Sequence, residues 1–280
     1  MSRIRIVTDS SAHLRPGVAD RLDIVVVPQN VHLDGVTYRE GVDITSKEFL
    51  QKMAATTKMP TLSPPSVATI AELYRRLHRQ TDQIISLHVS GHLSATCQNA
   101  RAAAQTLLGR CNIQVIDTLS ISLGQGMLVE RAAEAAASGA HMDEIVRLIR
   151  GMIPHVYMVF LVDALEYLER EKRIRPSQAV LGAMLGIKPL LTLEDGHLLP
   201  MEKVRTRALG VEKLLEFISE FVEIEQLVIL QSSFSEDTAL LLEGLELLYP
   251  EWDIPVFTYT PSLAVHVGSN ALGVAIQEKV

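Results

Sequence analysis

The first 155 residues alternate short β-branched runs with helix-like segments, and this alternation constrains the fold more than any other feature. Runs typical of buried strands are RIRIVTD, DIVVVPQ, QIISLHV and NIQVIDT. Helical segments are expected between and after them, including 94–108, 120–138 and 142–153. Strands that alternate with helices form a mostly parallel sheet with helices on both faces. We therefore predict an α/β domain over residues 1–155.

Residues 156–280 follow a different pattern, in which hairpins and helices are mixed. Asp195-Gly196 lies inside IKPLLTLEDGHLLP and predicts a tight turn between two strands. Helices are expected near 176–185 and over 207–223 and 236–247, with a last strand ending at Gln277. This mixture predicts a C-terminal α+β domain, and hence a two-domain chain divided near residue 155.

Local signals fix several boundaries in the first half. Asp34-Gly35 between alternating residues predicts a hairpin. Thr45 and Glu48 have the spacing of a capping box, and Ser66 is placed to cap a helix over 66–79. The prolines of MPTLSPPS, at 59–66, predict a loop.

Composition excludes some classes of function. The net charge of −7 and the lack of a basic stripe argue against a nucleic-acid partner. The N-terminus does not have the pattern of a signal peptide, and the most apolar windows are shorter than the roughly 18 residues of a membrane span. Cys97 and Cys111 are expected to be reduced thiols. We expect a cytoplasmic protein without stable membrane insertion.

The stretch HVSGHLSATCQNA, at 88–100, concentrates polar side chains at the start of an expected helix. His88 and His92 have the spacing of a zinc pair, but no third ligand is evident nearby, and we predict no metal. Ser94 lies at a strand-to-helix turn without the G-x-S-x-G pattern of a hydrolase. No Walker or dinucleotide-binding sequence is present, so no cofactor is expected.

An anion cradle fits these residues better. Ser94 is expected to cap the helix over 94–108, where free N–H groups and the helix dipole favour a negative group; the alternative is that it serves as a cap alone. Thr61 and Ser63 form a second hydroxyl-rich turn, and AVHVGSNALG provides a third, with His266. Such loops gather at the carboxyl ends of strands in an open α/β sheet.

Several segments, in this order and spacing, resemble the DegV family of bacterial fatty-acid-binding proteins over nearly the whole chain. They are TDSSA, TLSPPS, SGHLSATCQNA, VIDT, YLEREKRI, IKPLLTLEDG, KVRT and HVGSNALG. The resemblance implies a two-domain protein that buries one long-chain fatty acid, such as palmitate, in an apolar tunnel. It places the carboxyl group near the domain junction.

The resemblance also implies a role and a partner. Family members look like the binding subunit of a bacterial fatty acid kinase, whose separate catalytic subunit phosphorylates the bound carboxylate for phospholipid synthesis. On this interpretation the chain is a carrier rather than an enzyme. The alternatives are a lipid hydrolase or acyltransferase that uses Ser94 and His266, and a carrier for another amphipathic acid.

The resemblance implies which residues form the site, because each matches a position in a family motif. Ser94 corresponds to a serine that bonds the carboxylate, and His266 to the histidine of the C-terminal glycine-rich motif. Leu62 replaces a threonine that often binds the carboxylate, so Thr61, Ser63 or a main-chain N–H is expected to take over that contact.

Two basic residues also match family positions. Arg173 lies in EKRI, which has neither of the family's two glycines at this motif, and Arg205 lies in KVRT. Either residue is structural or faces the partner.

Overall fold

The computed structural model describes residues 4–163 and 186–279, which contain three sheets and the helices that pack on them. The strands are β1 (Arg5–Asp9), β2 (Val25–Val27), β3 (Asn30–Leu33), β4 (Val36–Arg39), β5 (Thr61–Ser63), β6 (Gln83–His88), β7 (Asn112–Asp117), β8 (Val156–Leu161), β9 (Lys188–Glu194), β10 (His197–Val204), β11 (Ile224–Gln231), β12 (Val256–Thr258) and β13 (Leu272–Glu278). The helices are α1 (Val18–Arg21), α2 (Ser46–Ala54), α3 (Val67–His78), α4 (Thr96–Gln105), α5 (Ser122–Ala137), α6 (Met142–Met152), α7 (Arg207–Ser219), α8 (Glu236–Leu248) and α9 (Pro261–Val267), with a 3-10 turn at Ile153–His155.

The first sheet has the order β2-β1-β6-β7, and all its strands are parallel. Ile6 and Val7 point to opposite faces, because side chains alternate along a strand. Ile6 joins a core with α1, α5 and α6, and Val7 joins a core with α3 and α4. The predicted α/β architecture, with helices on both faces, is confirmed.

The second sheet has the order β10-β9-β8-β13-β11-β12 and is antiparallel except between β11 and β12. The predicted hairpin turn joins β9 to β10, and Asp195 and Gly196 both have positive φ, at 47° and 79°. Helices α7 and α8 pack on one face of this sheet. Its other face, which includes Phe160 and Leu230, belongs to a different core. The mixed α+β character of this half is confirmed.

A third, small sheet has the order β4-β3-β5 and was not predicted. The prediction of a loop over 59–66 is wrong for Thr61–Ser63, which pair antiparallel with β3. A three-residue strand gives almost no periodicity, and its flanking prolines are tolerated because β5 is an edge strand. The predicted hairpin between β3 and β4 is confirmed, with Asp34 and Gly35 at positive φ.

Helix boundaries test the capping predictions. The Thr45–Glu48 capping box and the Ser66 cap, whose Oγ accepts from Thr69 N, are confirmed. The predicted start of a helix at 94 is wrong: α4 begins at Thr96, and its N-cap position is Ala95. The helix expected near 176–185 lies outside the described residues. Within those residues, no helix is long and apolar enough to cross a membrane.

Candidate functional site

A single apolar core, here called the junction cluster, joins the small sheet to the six-stranded sheet. Its buried side chains come from β3, α2, the start of α5, β8, β11 and α9, and include Val31, Phe49, Ile121, Phe160, Leu230 and Val267. Residues from both sides of position 155 therefore bury one another. The division into domains at 155, with a lipid site at the junction, stays a prediction.

All three predicted polar turns approach the junction cluster. Leu62 of β5 and Leu93, which precedes Ser94, are half-buried and pack against it. Val265 and Val267 are members of the cluster and lie on either side of His266. Helix α9 also contacts β5. The fold thus brings the segments that carry Thr61, Ser63, Ser94 and His266 to the edge of the same apolar core.

Ser94 lies two residues before α4, in a loop that is fixed at several points. The Ser94 N–H donates to the Ser90 carbonyl at 3.0 Å, and the Gly91 N–H donates to Asp117 Oδ2 at 3.0 Å. A side chain at position 91 would meet that carboxylate, since a Cβ there would lie 2.7 Å from Asp117 Oδ2. Glycine therefore allows the tight course of this loop.

The Ser94 hydroxyl is the outer end of a buried hydrogen-bond chain. Gln29 Nε2 donates to Thr96 Oγ1 at 2.9 Å, and Thr96 Oγ1 lies 2.8 Å from Ser94 Oγ. Ser94 Oγ accepts from Thr96 N at 3.3 Å, and either hydroxyl can donate in the Ser94–Thr96 contact. When Thr96 donates, the Ser94 proton is available for another acceptor. Gln29 and Thr96 are buried, whereas Ser94 is half-buried. This order of donors suits a carboxylate placed next to Ser94.

The β5 residues divide between two faces. Leu62 points towards the junction cluster, so Thr61 and Ser63 point to the opposite face of the strand. There Ser63 Oγ lies 2.7 Å from Nε2 of His32, while Thr61 is exposed. A hydroxyl from either residue is therefore poorly aimed at the position that Leu62 occupies.

His266 is buried, with 4% of its surface exposed, in the last turn of α9. The predicted glycine-rich turn begins only after it, at Gly268, which has a φ of 89°. Arg205 is exposed directly after β10. Arg173 lies outside the described residues.

The sequence did not predict the buried network behind Ser94. Asp9 ends β1, and its carboxylate accepts from His88 Nδ1 at 2.8 Å, from Val89 N and from Gln29 Nε2. Burial opposes ionisation of Asp9, but the hydrogen bond and electrostatic attraction of His88, with the hydrogen bonds from Val89 and Gln29, outweigh it, so the pKa of Asp9 lies below its usual value. Asp9 belongs to the TDSSA motif, but its 79-residue separation from His88 gives no sequence signal of the pair.

The position of this network follows from topology. In a sheet of order β2-β1-β6-β7, the crevice between the carboxyl ends of β1 and β6 is where ligands bind in open α/β proteins. Asp9 and His88 hydrogen bond across that crevice. The network therefore occupies the crevice and supports the loop that carries Ser94.

His88 also completes an Asp–His–Ser arrangement, but not with Ser94. Ser86 Oγ lies 2.7 Å from His88 Nε2 and accepts from the Tyr74 hydroxyl at 2.8 Å. Tyr74, Ser86, His88 and Asp9 are all fully buried. A nucleophile needs access to its substrate, so this chain of hydrogen bonds is structural.

One hydrogen bond ties the Ser94 loop to the second sheet. Ser90 Oγ donates to the Gly196 carbonyl at 2.7 Å, in the turn between β9 and β10. His92 stacks on His197 beside it, with ring centroids 3.7 Å apart. The loop is thus held between the two halves of the chain.

The described structure also contains two sizeable cavities. One of about 430 Å³ lies beside Ser10, Glu40 and Thr260, and one of about 500 Å³ lies beside Tyr157 and Leu193. In residues 4–163 and 186–279, no group of three or more His, Cys, Asp or Glu residues is placed to hold a metal ion.

The fold and site define an α/β protein in which polar turns surround an apolar core shared by two sheets. The family model described as "Uncharacterised protein, DegV family" matches residues 3–279. A DegV domain-containing protein of Caldanaerobacter subterraneus is 32% identical over 286 residues, which cover 100% of both chains. The chain belongs to the DegV family.

Solved structures of relatives have the same fold. A DegV family protein of Thermus thermophilus, described by its fatty acid binding, matches with a TM-score of 0.87 at 32% identity, over 99% of this chain and 100% of that one. DegV of Bacillus subtilis, described as a fatty acid binding protein, matches with a TM-score of 0.85 at 27% identity, over 100% of both chains. The family resemblance predicted from the motifs is confirmed.

Proposed function

We propose that this protein binds one long-chain fatty acid, with the carboxylate beside Ser94 and the acyl chain in the apolar junction. The main support for the proposal is the hydrogen-bond chain from Gln29 through Thr96 to Ser94, in which Ser94 Oγ can accept from Thr96 and donate its own proton to a carboxylate at the edge of the junction cluster. The fatty acid binding of the two relatives described above supports the same ligand class.

The energetics suit an amphipathic acid. Each buried methylene contributes about 0.8 kcal/mol, so a chain of about sixteen carbons supplies on the order of 10 kcal/mol before entropic costs. A buried carboxylate without donors is expensive, so several donors must converge on it. The acyl chain therefore supplies most of the affinity, and the polar turns orient the head group.

Ser94 and His266 are the proposed carboxylate partners. Leucine at position 62 offers no hydroxyl to the carboxylate, so a neighbouring group must donate in its place. The geometry of β5 favours a main-chain N–H over the hydroxyls of Thr61 and Ser63. Ser63 is already paired with His32, and both hydroxyls lie on the far face of the strand.

We further propose that the protein presents its ligand to a separate fatty acid kinase, which forms the acyl phosphate for phospholipid synthesis. Arg205 is exposed beyond β10 and is a candidate contact for such a partner. Arg173 is a second candidate from the sequence motif alone. In this account the chain contributes no catalytic residue of its own.

Native mass spectrometry followed by lipid extraction tests the ligand. We expect a noncovalent fatty acid that is released on denaturation and whose retention is weakened by Ser94→Ala. Ser235→Ala is the matched control, because Ser235 caps α8, whose buried residues belong to a different core from the junction cluster. An acyl group that stays attached to Ser94 after denaturation would establish the hydrolase or acyltransferase alternative instead.

The kinase role needs a second assay. The protein loaded with labelled fatty acid is mixed with a candidate kinase and ATP, and the acyl phosphate is trapped with hydroxylamine. We expect a product only when both proteins are present, and a smaller yield with Arg205→Glu. A product from this chain and ATP alone would contradict the role of a carrier.

A further inference from the structure

Glu40 follows β4 and links three separate segments of the chain through hydrogen bonds. Its carboxylate accepts from Ser10 Oγ at 2.5 Å, at the end of β1. It also accepts from Ser262 N at 2.6 Å and from the Ser262 hydroxyl, at the start of α9. Ser10 Oγ in turn accepts from Gln29 N at 2.8 Å. These contacts, here called the Glu40 bridge, attach α9 to the parallel sheet.

The bridge acts on the helix that carries His266. Ser262 is the second residue of α9, where backbone N–H groups lack partners within the helix. His266 lies four residues further on, about one turn along the same side of the helix. The position of His266 at the junction cluster therefore depends on a helix start that Glu40 holds.

The surroundings of Glu40 offer little compensation for a negative charge. Glu40 is 3% exposed, and within the described residues no Lys or Arg side chain forms an ion pair with it. Asp9 lies near enough to repel it. The cavity of about 430 Å³ beside Glu40 is also lined by His13, Arg15 and Asp20.

Neither basic group at this cavity offsets the charge. Arg15 is paired with Glu130. Burial lowers the pKa of His13 to about 4, so His13 is uncharged near neutral pH. On α9 itself the only titratable side chain is His266. The cavity gives water, and hence protons, a route to the bridge.

We propose that Glu40 is a positioning residue whose protonation sets how firmly α9, and with it His266, is held over the fatty-acid site. The inference rests on the proposed function for its ligand, but the bridge itself is a property of the protein without ligand. Protonated Glu40 is stable in its buried place. Ionised Glu40 is better solvated when α9 lifts and exposes it.

The direction of the pH effect follows from burial. Burial raises the pKa of Glu40 from 4.5 to about 7, although the hydrogen bonds from Ser10 and Ser262 act against this rise. A carboxyl group whose pKa is raised in the closed state favours that state at low pH and loses this contribution as the pH rises through about 7. If lifting of α9 restores the ordinary pKa, opening increases roughly tenfold between pH 6 and pH 8.

Release of a fluorescent fatty acid, measured by stopped flow from pH 6 to pH 8, tests the proposal. We expect release from the wild type to accelerate about tenfold across this range. Glu40→Gln keeps an acceptor for Ser262 N but cannot ionise, so its release rate should stay near the slow low-pH value throughout. Glu72→Gln is the control: it removes an exposed carboxylate that pairs with Arg75 on α3, leaves Arg15 paired with Glu130, and should keep the wild-type slope. A Glu40→Gln profile as steep as that of the wild type would overturn the proposal.

Hydrogen exchange of the ligand-free protein separates this proposal from the proposed function. After correction for intrinsic rates, amides of 262–267 in the wild type should exchange faster at pH 8 than at pH 6. In Glu40→Gln this difference should disappear, while Ser262→Ala should raise exchange at both pH values. If this result is obtained but the protein binds no fatty acid, the role of the Glu40 bridge is supported and the proposed function is refuted. If hydrogen exchange of this segment in the wild type does not depend on pH, the proposed role of the Glu40 bridge is refuted, whether or not the protein binds a fatty acid.

Discussion

Asp9 and Glu40 are both buried carboxyl groups at the edge of the junction, yet they differ in the partners that surround them. Asp9 receives a histidine N–H, two main-chain N–H groups and the amides of Gln29 and Gln125. Glu40 receives two serine hydroxyls and one main-chain N–H. The pKa of Asp9 lies below its ordinary value, whereas that of Glu40 is raised to about 7.

Burial alone therefore does not set the charge of a buried acid. A histidine and several amide donors outweigh the cost of desolvating Asp9, and hydroxyl donors do not do the same for Glu40. The Asp9 network is therefore a fixed support for the Ser94 loop. The Glu40 bridge is the adjustable attachment of the His266 helix.

Removing His88, the partner of Asp9, should have the largest effect on the stability of the fold. His88→Ala removes the histidine that donates to a fully buried carboxylate, and we expect a loss of about 3 kcal/mol or more in the free energy of unfolding, because a charged group left unsatisfied costs more than a neutral one. Urea denaturation at pH 7 measures it, with His141→Ala, at the exposed start of α6, as control. A loss below about 1 kcal/mol would show that Asp9 does not depend on His88.

Removing the Ser94 hydroxyl, at the outer end of the hydrogen-bond chain from Gln29, should weaken fatty acid binding more than it lowers the stability of the fold. Ser94→Ala deletes one hydrogen bond to a charged group, which is worth about 1.5–3 kcal/mol of binding free energy. Titration with a fluorescent fatty acid gives the affinity, and thermal unfolding shows whether the fold is intact. Unchanged affinity in the variant would remove Ser94 from the carboxylate site.

The Glu40 bridge should make global stability fall as the pH rises. Between pH 6 and pH 8, ionisation of Glu40 is expected to cost about 1.4 kcal/mol, since its pKa in the folded protein lies above its unfolded value. The difference in unfolding free energy between the wild type and Glu40→Gln isolates this contribution. A difference that is constant over this pH range would contradict the assignment.

The contribution of Asp9 to stability depends on pH in the opposite direction from that of Glu40. Its lowered pKa means that it stabilises the fold at neutral pH, and that this contribution disappears as the pH falls below the ordinary value of 3.8. Acid titration of the wild type and of Asp9→Asn should therefore converge at low pH. Curves that stay parallel would show that Asp9 is not ionised in the native protein.

The smallest expected effect concerns Leu62. Leu62→Thr introduces a hydroxyl on the face of β5 that meets the junction cluster, and should tighten fatty acid binding by about 1 kcal/mol. It should also lower stability, because an apolar side chain leaves the cluster. Ser63→Ala, on the opposite face, should leave affinity unchanged. If Ser63→Ala weakens binding and Leu62→Thr does not strengthen it, Ser63 supplies the replacement contact.

The sequence predicted what depends on neighbouring residues. The capping box of Thr45 and Glu48, the cap at Ser66 and the two hairpin turns each act within a few positions, so their residue types are sufficient. The parallel sheet followed from the alternation of strands and helices. The strand at Thr61–Ser63 was missed because three residues between prolines carry no periodicity.

The features that define the two carboxyl groups could not be predicted in this way. Asp9 and His88 are 79 residues apart, and Glu40 and Ser262 are 222 apart. Only the folded chain shows which long-range partner each acid has, and therefore which way its pKa moves. The same holds for Ser94: the N-cap position that the sequence predicts for it belongs to Ala95, and its buried partners come from distant segments.

A crystal structure of the protein with a bound fatty acid is the decisive test of where the head group and the acyl chain lie. We expect a head group within hydrogen-bonding distance of Ser94 Oγ, a second contact from His266 or a main-chain N–H of 61–63, and an acyl chain among residues of the junction cluster. A head group far from all three turns would contradict the account.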